Sequence, residues 1–168
     1  MEQVRGRVRA DALRALELNP GDSDAWIALG SLNSRPSGNP DSIEALARAV
    51  QLGPRNSAAH QRLGERLLSL GYIERGAHAV ATALELDPLS GAVNSVQGLV
   101  CALQRRVDCI QRAARTAAAL GSPRAGQIEA WAHLAAGERR SAAQVRERSL
   151  RAAERLTPAR AAVFAAMR

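Results

Sequence analysis

The segment ALELDP, residues 83–88, decides the fold because its last residue belongs to a regular series of prolines. Five of the seven prolines are separated by 34 or 35 residues: Pro20, Pro54, Pro88, Pro123 and Pro158. An alanine stands five residues before each of them, and a leucine stands two residues before four of them. A period held this tightly predicts an array of structural repeats.

Each repeat is predicted to be a helix, a turn, a second helix and a closing turn. The second unit shows this most clearly, because apolar residues recur at helical spacing between positions 58 and 70. Gly71 then ends the first helix, and a second helix is predicted from Ile73 to Leu86. Proline cannot continue a helix, so Pro88 closes the unit.

Two units depart from this pattern. In the first unit the stretch SRPSGNP, residues 34–40, replaces the short turn, so we expect a truncated first helix, a longer loop, and Pro40 at the start of the next helix. In the fourth unit the first helix is predicted to be short, ending near Gly137, and the second to be long and rich in arginine. His133 stands where we expect the glycine of that unit.

These residues resemble the tetratricopeptide repeat, a 34-residue unit with Trp, Leu-Gly, a small residue, Ala and Pro at fixed offsets. The first full unit matches with Trp26, Leu29, Gly30, Ala49 and Pro54; the second with Leu63, Gly64, Ala83 and Pro88; the third with Gly98, Ala118 and Pro123. The aromatic positions of the family are filled by smaller groups, among them Leu67, Val80 and Cys101.

The resemblance implies an all-α fold: a right-handed superhelical solenoid of antiparallel helix pairs, with about four units and open ends. The predicted units are an incomplete repeat at 1–22 with the second helix only, repeats at 23–56, 57–90 and 91–125, a degenerate repeat at 126–158, and a terminal or capping helix at 159–168. Because each unit buries its apolar face against the next, open ends indicate either a segment of a longer array or self-association.

Composition agrees with a helical array. The chain has 35 alanines, 23 arginines, no lysine and only 2% aromatic residues. A core built from Ala, Leu and Val is unlike an all-β sandwich, which draws on aromatic and β-branched residues. No uncharged apolar stretch is long enough to span a bilayer, and the N-terminus does not resemble a signal peptide. We therefore predict a soluble cytoplasmic protein without a membrane partner, and the use of arginine in place of lysine indicates a bacterial source.

The two cysteines, Cys101 and Cys109, are too few for a disulfide scaffold and lack the spacing of a zinc knuckle or a redox pair. They lie on successive helices, which makes an intramolecular bridge geometrically feasible. In a reducing compartment we expect them to be buried thiols.

The sequence contains no catalytic or metal-binding constellation. His60, His78 and His133 are scattered among the repeats without acidic partners at ligand spacing. Phosphate-binding loops, dinucleotide-binding glycine motifs and the Gly-x-Ser-x-Gly motif are absent. We therefore predict a protein that is not an enzyme and that has no cofactor and no metal site.

The function that remains is surface recognition of a protein or peptide partner. The family resemblance implies that the first helix of every unit lines a concave groove, through Asp24, Ile27 and Ser31 in the first unit, Gln61, Glu65 and Leu68 in the second, and Ser95, Leu99 and Ala102 in the third. A peptide would bury apolar side chains against Leu68, Leu99 and Ala102 and form hydrogen bonds with Gln61 and Ser95. The basic clamp with which family members hold a C-terminal carboxylate is not expected here.

Basic charge is concentrated in the second half of the chain. Residues 1–90 carry a net charge of −1 and residues 91–168 a net charge of +8. The candidate basic patch consists of Arg105, Arg106, Arg112, Arg115, Arg139, Arg140 and Arg146. This patch could bind an acidic protein or phosphates, or it could be an ordinary solvated face. The lack of aromatic residues for base stacking disfavours nucleic acid. A regulatory module of a larger enzyme or transcription factor is a further alternative.

Overall fold

The computed structural model describes residues 2–32, 40–149 and 151. Within these ranges all regular secondary structure is α-helical. The predicted loop at 34–40 lies, except for Pro40, outside the described residues, as does the predicted terminal helix at 159–168.

The described helices alternate in pairs after a single first helix. Their bounds are α1 Glu2–Leu18, α2 Ser23–Leu32, α3 Pro40–Leu52, α4 Ser57–Ser69, α5 Ile73–Leu86, α6 Gly91–Leu103, α7 Val107–Ala119 and α8 Ala125–Ala135, followed by α9 at 139–149. The helix α5 has the predicted bounds, and α3 begins at Pro40 as predicted.

The first helices of the pairs keep a 34-residue period throughout, because α2, α4, α6 and α8 begin at positions 23, 57, 91 and 125. The prolines drift to a spacing of 35 because Pro123 lies two residues before α8, whereas Pro20, Pro54 and Pro88 lie three residues before α2, α4 and α6. Positions counted from Pro123 are therefore displaced by one residue from the helix period. Ala117, not Ala118, is buried, and Ala132, not His133, takes the small-residue position inside the packing.

The starts of the first helices are fixed by capping side chains at the same 34-residue spacing. The carboxylate of Asp22 accepts hydrogen bonds from the backbone N–H groups of residues 24 and 25. The side chain of Asn56 accepts from residues 58 and 59, and Ser90 accepts from residue 93. These bonds satisfy N–H groups that have no partner within the helix.

Helices pack as a layered array. Within each pair α2 packs against α3, α4 against α5 and α6 against α7, and consecutive pairs meet through α3–α4, α5–α6 and α7–α8 contacts. The first helices also contact one another in the order α2, α4, α6, α8. This arrangement is a solenoid of antiparallel helix pairs, in which each pair contacts its neighbours.

Close contact within a pair depends on glycine. A Cβ atom added at Gly64 on α4 would lie 2.7 Å from Cγ2 of Val80 and 3.0 Å from the carbonyl oxygen of Gly76, both on α5. A Cβ atom added at Gly76 would in turn lie 2.7 Å from Cγ of Leu68. The backbones of α4 and α5 can therefore approach only because both positions lack a side chain.

The core is aliphatic, as the composition predicts. One cluster joins Leu68, Val80, Val96 and Val100 across α4, α5 and α6. A second cluster joins α6, α7 and α8 through Cys101, Ile110, Ala113, Ala114, Ala117, Ile128 and Ala132. Apolar burial of this kind is the main favourable term in folding.

The prediction of two buried thiols is wrong, because Cys101 and Cys109 form a disulfide. The short turn between α6 and α7 brings their Cα atoms to 5.5 Å, inside the range of about 4.4–6.8 Å that bonded cysteines show. Cys101 is fully buried, and Cys109 is partly buried against the same cluster. The bridge therefore joins the two helices of the third pair at their connecting turn.

Candidate peptide-binding groove

The row of first helices α2, α4, α6 and α8 forms the face on which the sequence places the groove. These helices contact one another in sequence order, so their outward side chains lie side by side. The groove residues expected from the sequence are carried by α2, α4 and α6, and the structure brings these three helices together.

Three of the expected groove residues are buried. Gln61, Leu68 and Ser95 are 7%, 4% and 3% exposed. Leu68 packs in the cluster with Val80, and the Ser95 hydroxyl lies 2.6 Å from the hydroxyl of Ser122 and 2.7 Å from the carbonyl oxygen of residue 91. Leu68 and Ser95 join neighbouring helices, and burial of all three side chains leaves little of their surface for a ligand.

The other six expected residues keep some exposed surface. Asp24 is exposed, whereas Ile27, Ser31, Glu65, Leu99 and Ala102 are half-buried. Leu99 packs against the cluster that contains Leu68, and Ala102 packs against the cluster that contains Cys101. Apolar surface at Ile27, Leu99 and Ala102 thus lies along the row of first helices.

A surface cavity of about 270 Å³ opens between α2, α3 and α4. Five of its six lining residues have polar side chains: Ser31, Leu46, Arg62, Glu65, Arg66 and Ser69, of which only Leu46 is apolar. Arg66 is buried, and its Nε donates a 2.7 Å hydrogen bond to the hydroxyl of Ser42 on α3. Ser31 and Glu65 are therefore expected groove residues that share one cavity.

Two arginines meet on the carboxylate of Glu65. Nη1 of Arg124 lies 2.6 Å from Oε1, and Nη1 of Arg62 lies 3.2 Å from Oε2. Arg62 precedes Glu65 by one turn of α4, whereas Arg124 stands at the start of α8, 59 residues further along the chain. We call these three residues the arginine latch.

Sequence reasoning missed Arg124, but a signal for it exists. Arg124 occupies the fourth capping position, 34 residues after Ser90 in the series that begins with Asp22 and Asn56. A guanidinium has no acceptor atom, so it cannot cap a helix N-terminus. The change from capping residue to arginine indicates a different role at this position.

The α8 end of the row holds one further ion pair and one hydrogen bond between a histidine and a carboxylate. Nη2 of Arg148 lies 2.6 Å from a carboxylate oxygen of Glu129, and Nδ1 of His133 lies 2.7 Å from a carboxylate oxygen of Glu138. His133 therefore has a polar partner at the surface.

The candidate basic patch lies along one edge and the second helices. Arg105 and Arg106 form the turn before α7, and Arg139 and Arg140 begin α9, so both pairs lie at turns between the two helices of a unit. All seven arginines of the patch are exposed. None of the seven makes an ion pair with a carboxylate in the described part of the chain.

The described residues include neither a metal-binding cluster nor a membrane-spanning helix. No group of three or more His, Cys, Asp and Glu side chains is placed to hold a metal ion there. No helix in these ranges has the length and apolar character needed to cross a membrane.

Comparison with known proteins gives a consistent fold. No protein-family model matches the chain, and no curated protein matches it in sequence. Among solved structures, the tetratricopeptide repeat protein TTC0263 of Thermus thermophilus is similar with a TM-score of 0.78 at 22% identity, over 96% of this chain and 91% of that one. MamA is similar with a TM-score of 0.66 at 20% identity, over 94% of this chain and 95% of the other. The chain therefore has the helical solenoid fold of the tetratricopeptide repeat proteins.

Proposed function

We propose that this protein is a non-enzymatic interaction scaffold or adaptor, which binds a peptide or a helix of a partner protein along its first helices. The observation that carries the proposal is the row of half-exposed apolar residues, Ile27, Leu99 and Ala102, beside the polar groups Asp24 and Glu65. Apolar surface with a few placed polar groups is typical of a recognition site.

The proposed contacts of a bound peptide differ in one respect from those expected from the sequence. Because Leu68, Gln61 and Ser95 are buried, the apolar anchors of a bound peptide would pack against Ile27 and Leu99. Polar contacts would be made with Asp24 and with the residues around the cavity of about 270 Å³. Removal of each buried CH₂ from water would contribute about 0.8 kcal/mol.

Selection from a random peptide library tests this proposal. We expect selected peptides to lose binding to Leu99→Glu and to the exposed charge reversal Asp24→Arg. The matched control is Leu89→Glu, because Leu89 is 76% exposed in the turn between α5 and α6. Circular dichroism would verify that each variant is folded. Selected peptides that bind all three variants as tightly as the parent protein would refute the groove.

A second candidate function is binding of an acidic partner, or of nucleic-acid phosphates, through the basic patch. The observation that favours it is the absence of ion pairs from the seven exposed arginines in the described residues. Phosphate binding would weaken steeply as salt rises, because bound counterions are released. A flat salt response would remove this candidate. Service as a regulatory module of a larger enzyme or transcription factor is a separate alternative, which the salt response does not test.

Self-association and cytoplasmic location remain proposals. Support for self-association comes from α1, which packs against α2. Apolar side chains on α1 are exposed at Val4, Val8, Leu13 and Leu18. Light scattering across a concentration series would test it, with Val4→Ser and Leu18→Ser expected to lower the mass of any assembly. Fractionation of the source cells would test the location. Because disulfides are rare in cytoplasmic proteins, the bond between Cys101 and Cys109 makes the result of this measurement informative.

A further inference from the structure

The arginine latch, Arg62, Glu65 and Arg124, joins helices that are not neighbours. Glu65 lies on α4 and Arg124 at the start of α8, and α6 packs against both helices. In a solenoid each unit normally contacts only the adjacent units. The ion pair between Glu65 and Arg124 therefore bridges the groove over the width of α6.

The latch places one internal carboxylate between two guanidinium groups. Each carboxylate oxygen of Glu65 takes one arginine, through Nη1 of Arg62 at 3.2 Å and Nη1 of Arg124 at 2.6 Å. Each guanidinium carries five N–H donors, and one bond to Glu65 leaves others available for a second acceptor. Arginine can hold an incoming carboxylate through two parallel hydrogen bonds.

Arg124 stands at a position where its side chain does not cap its own helix. The equivalent side chains Asp22, Asn56 and Ser90 cap their helices, whereas Arg124 makes no capping bond to α8. A cation at a helix N-terminus is also opposed by the helix dipole. A residue that is locally unfavourable is most readily explained by a role outside local structure.

The latch lies beside open space. The cavity of about 270 Å³ is lined by both Arg62 and Glu65, together with Ser31 on α2. The side chains of Arg62 and Arg124 are 44% and 49% exposed, so a ligand can reach them from solvent. Exposed ion pairs are weak. The bond between Glu65 and Arg124 would therefore lower the affinity for a competing carboxylate by no more than about fivefold.

We propose that the groove selects peptides with acidic side chains, which bind Arg62 and Arg124, and that Glu65 is an internal competitor for the same two arginines. This inference rests on the proposed function and gives the partner its chemistry. It also assigns opposite roles to the two ends of one ion pair. Arg124 favours the ligand, and Glu65 opposes it.

The opposite roles make the proposal testable. The probe is an acetylated and amidated peptide of four Gly-Glu repeats, so that its side chains are its only carboxylates, and the reference is the matched Gly-Gln peptide. NMR titration measures the dissociation constants, because this method remains quantitative for weak binding. We expect Glu65→Gln to bind the acidic peptide several-fold more tightly and Arg124→Gln to bind it about tenfold more weakly, with no comparable change for the Gly-Gln peptide.

Matched controls separate the latch from overall charge. Glu85→Gln and Arg9→Gln make the same changes in net charge at exposed positions outside the groove. We expect both to change the affinity far less than the latch variants. The advantage of Glu65→Gln should also shrink as salt rises, because screening weakens exposed charge pairs.

Three results would overturn the proposal. If Glu65→Gln and Arg124→Gln change the affinity for the acidic peptide equally and in the same direction, the ion pair acts only as a structural tie. Effects matched by the two controls would show a response to net charge alone. If the acidic peptide binds neither the parent protein nor Glu65→Gln, acidic ligands are excluded. If library selection still gives groove-dependent neutral peptides, the proposed function stands while the latch inference fails, and if it gives none, both fail.

Discussion

Gly64 offers the sharpest test of the packing, because an added methyl group there meets backbone atoms as well as side chains. In Gly64→Ala the new Cβ atom would lie 2.7 Å from Cγ2 of Val80, 3.0 Å from the carbonyl oxygen of Gly76 and 3.2 Å from the backbone nitrogen of Val80. Val80 is fully buried, so it cannot rotate away into solvent. Relief of the clash requires α4 and α5 to move apart.

The expected magnitude is a difference between two effects. Overpacking of a core costs about 1–3 kcal/mol, whereas replacement of glycine by alanine within a helix contributes about 1 kcal/mol in the other direction. Two backbone contacts place the clash in the upper part of its range, so we expect a net loss of about 1–2 kcal/mol. For a chain of this size that loss lowers the melting temperature by about 2–8 °C.

Thermal unfolding followed by circular dichroism measures this change, and Gly6→Ala is the matched control. Gly6 lies within α1, and a Cβ atom added there meets nothing within 4 Å. The control should therefore show only the gain in helix stability, about 0.5–1 kcal/mol. If Gly64→Ala melts at or above the temperature of Gly6→Ala, α4 and α5 do not approach as closely as described.

Three further changes test other parts of the structure. Reduction of the bond between Cys101 and Cys109, or the double replacement by serine, should lower stability by about 2.5 kcal/mol, the loop-closure value for a bridge this short; thiol titration of the unreduced protein should find no reactive cysteine, and two would contradict the bridge. Asn56→Ala should cost about 1 kcal/mol through loss of the α4 cap, measured by urea unfolding, and an unchanged midpoint would refute the cap. Arg66→Met removes a buried bond to Ser42 and should cost about 1.5–3 kcal/mol in the same assay, whereas a stabilised variant would show that burial of this charge outweighs its bonds.

Periodicity made most of the fold predictable. The prolines indicate turns and the alanines indicate close helix contacts, and both depend on neighbouring residues. Such local signals predicted α5 from Ile73 to Leu86. Positions counted from Pro123 failed by one residue because this proline lies one residue closer to its following helix than the earlier prolines do. Burial of Ala117 instead of Ala118 follows from the helix, not from the proline.

The groove was less predictable than the fold, because exposure depends on which helix lies above each residue. Leu68 and Leu99 both fit the groove pattern, yet Leu68 on α4 packs against Gly76 on α5 and is buried, whereas Leu99 stays half-exposed. The disulfide was predicted to be absent on grounds of compartment, whereas its formation depends on the 5.5 Å separation at one turn.

By itself the sequence determined the repeat, the pairing of helices and the aliphatic core, because each of these follows from the periodicity and the composition of the chain. The tertiary structure alone decided that Arg124 meets Glu65 across 59 residues, and that Gln61, Leu68 and Ser95 are enclosed. The physical reason is the accumulation of small packing offsets from pair to pair. These offsets set which side chains of distant helices meet, and no local pattern records their sum.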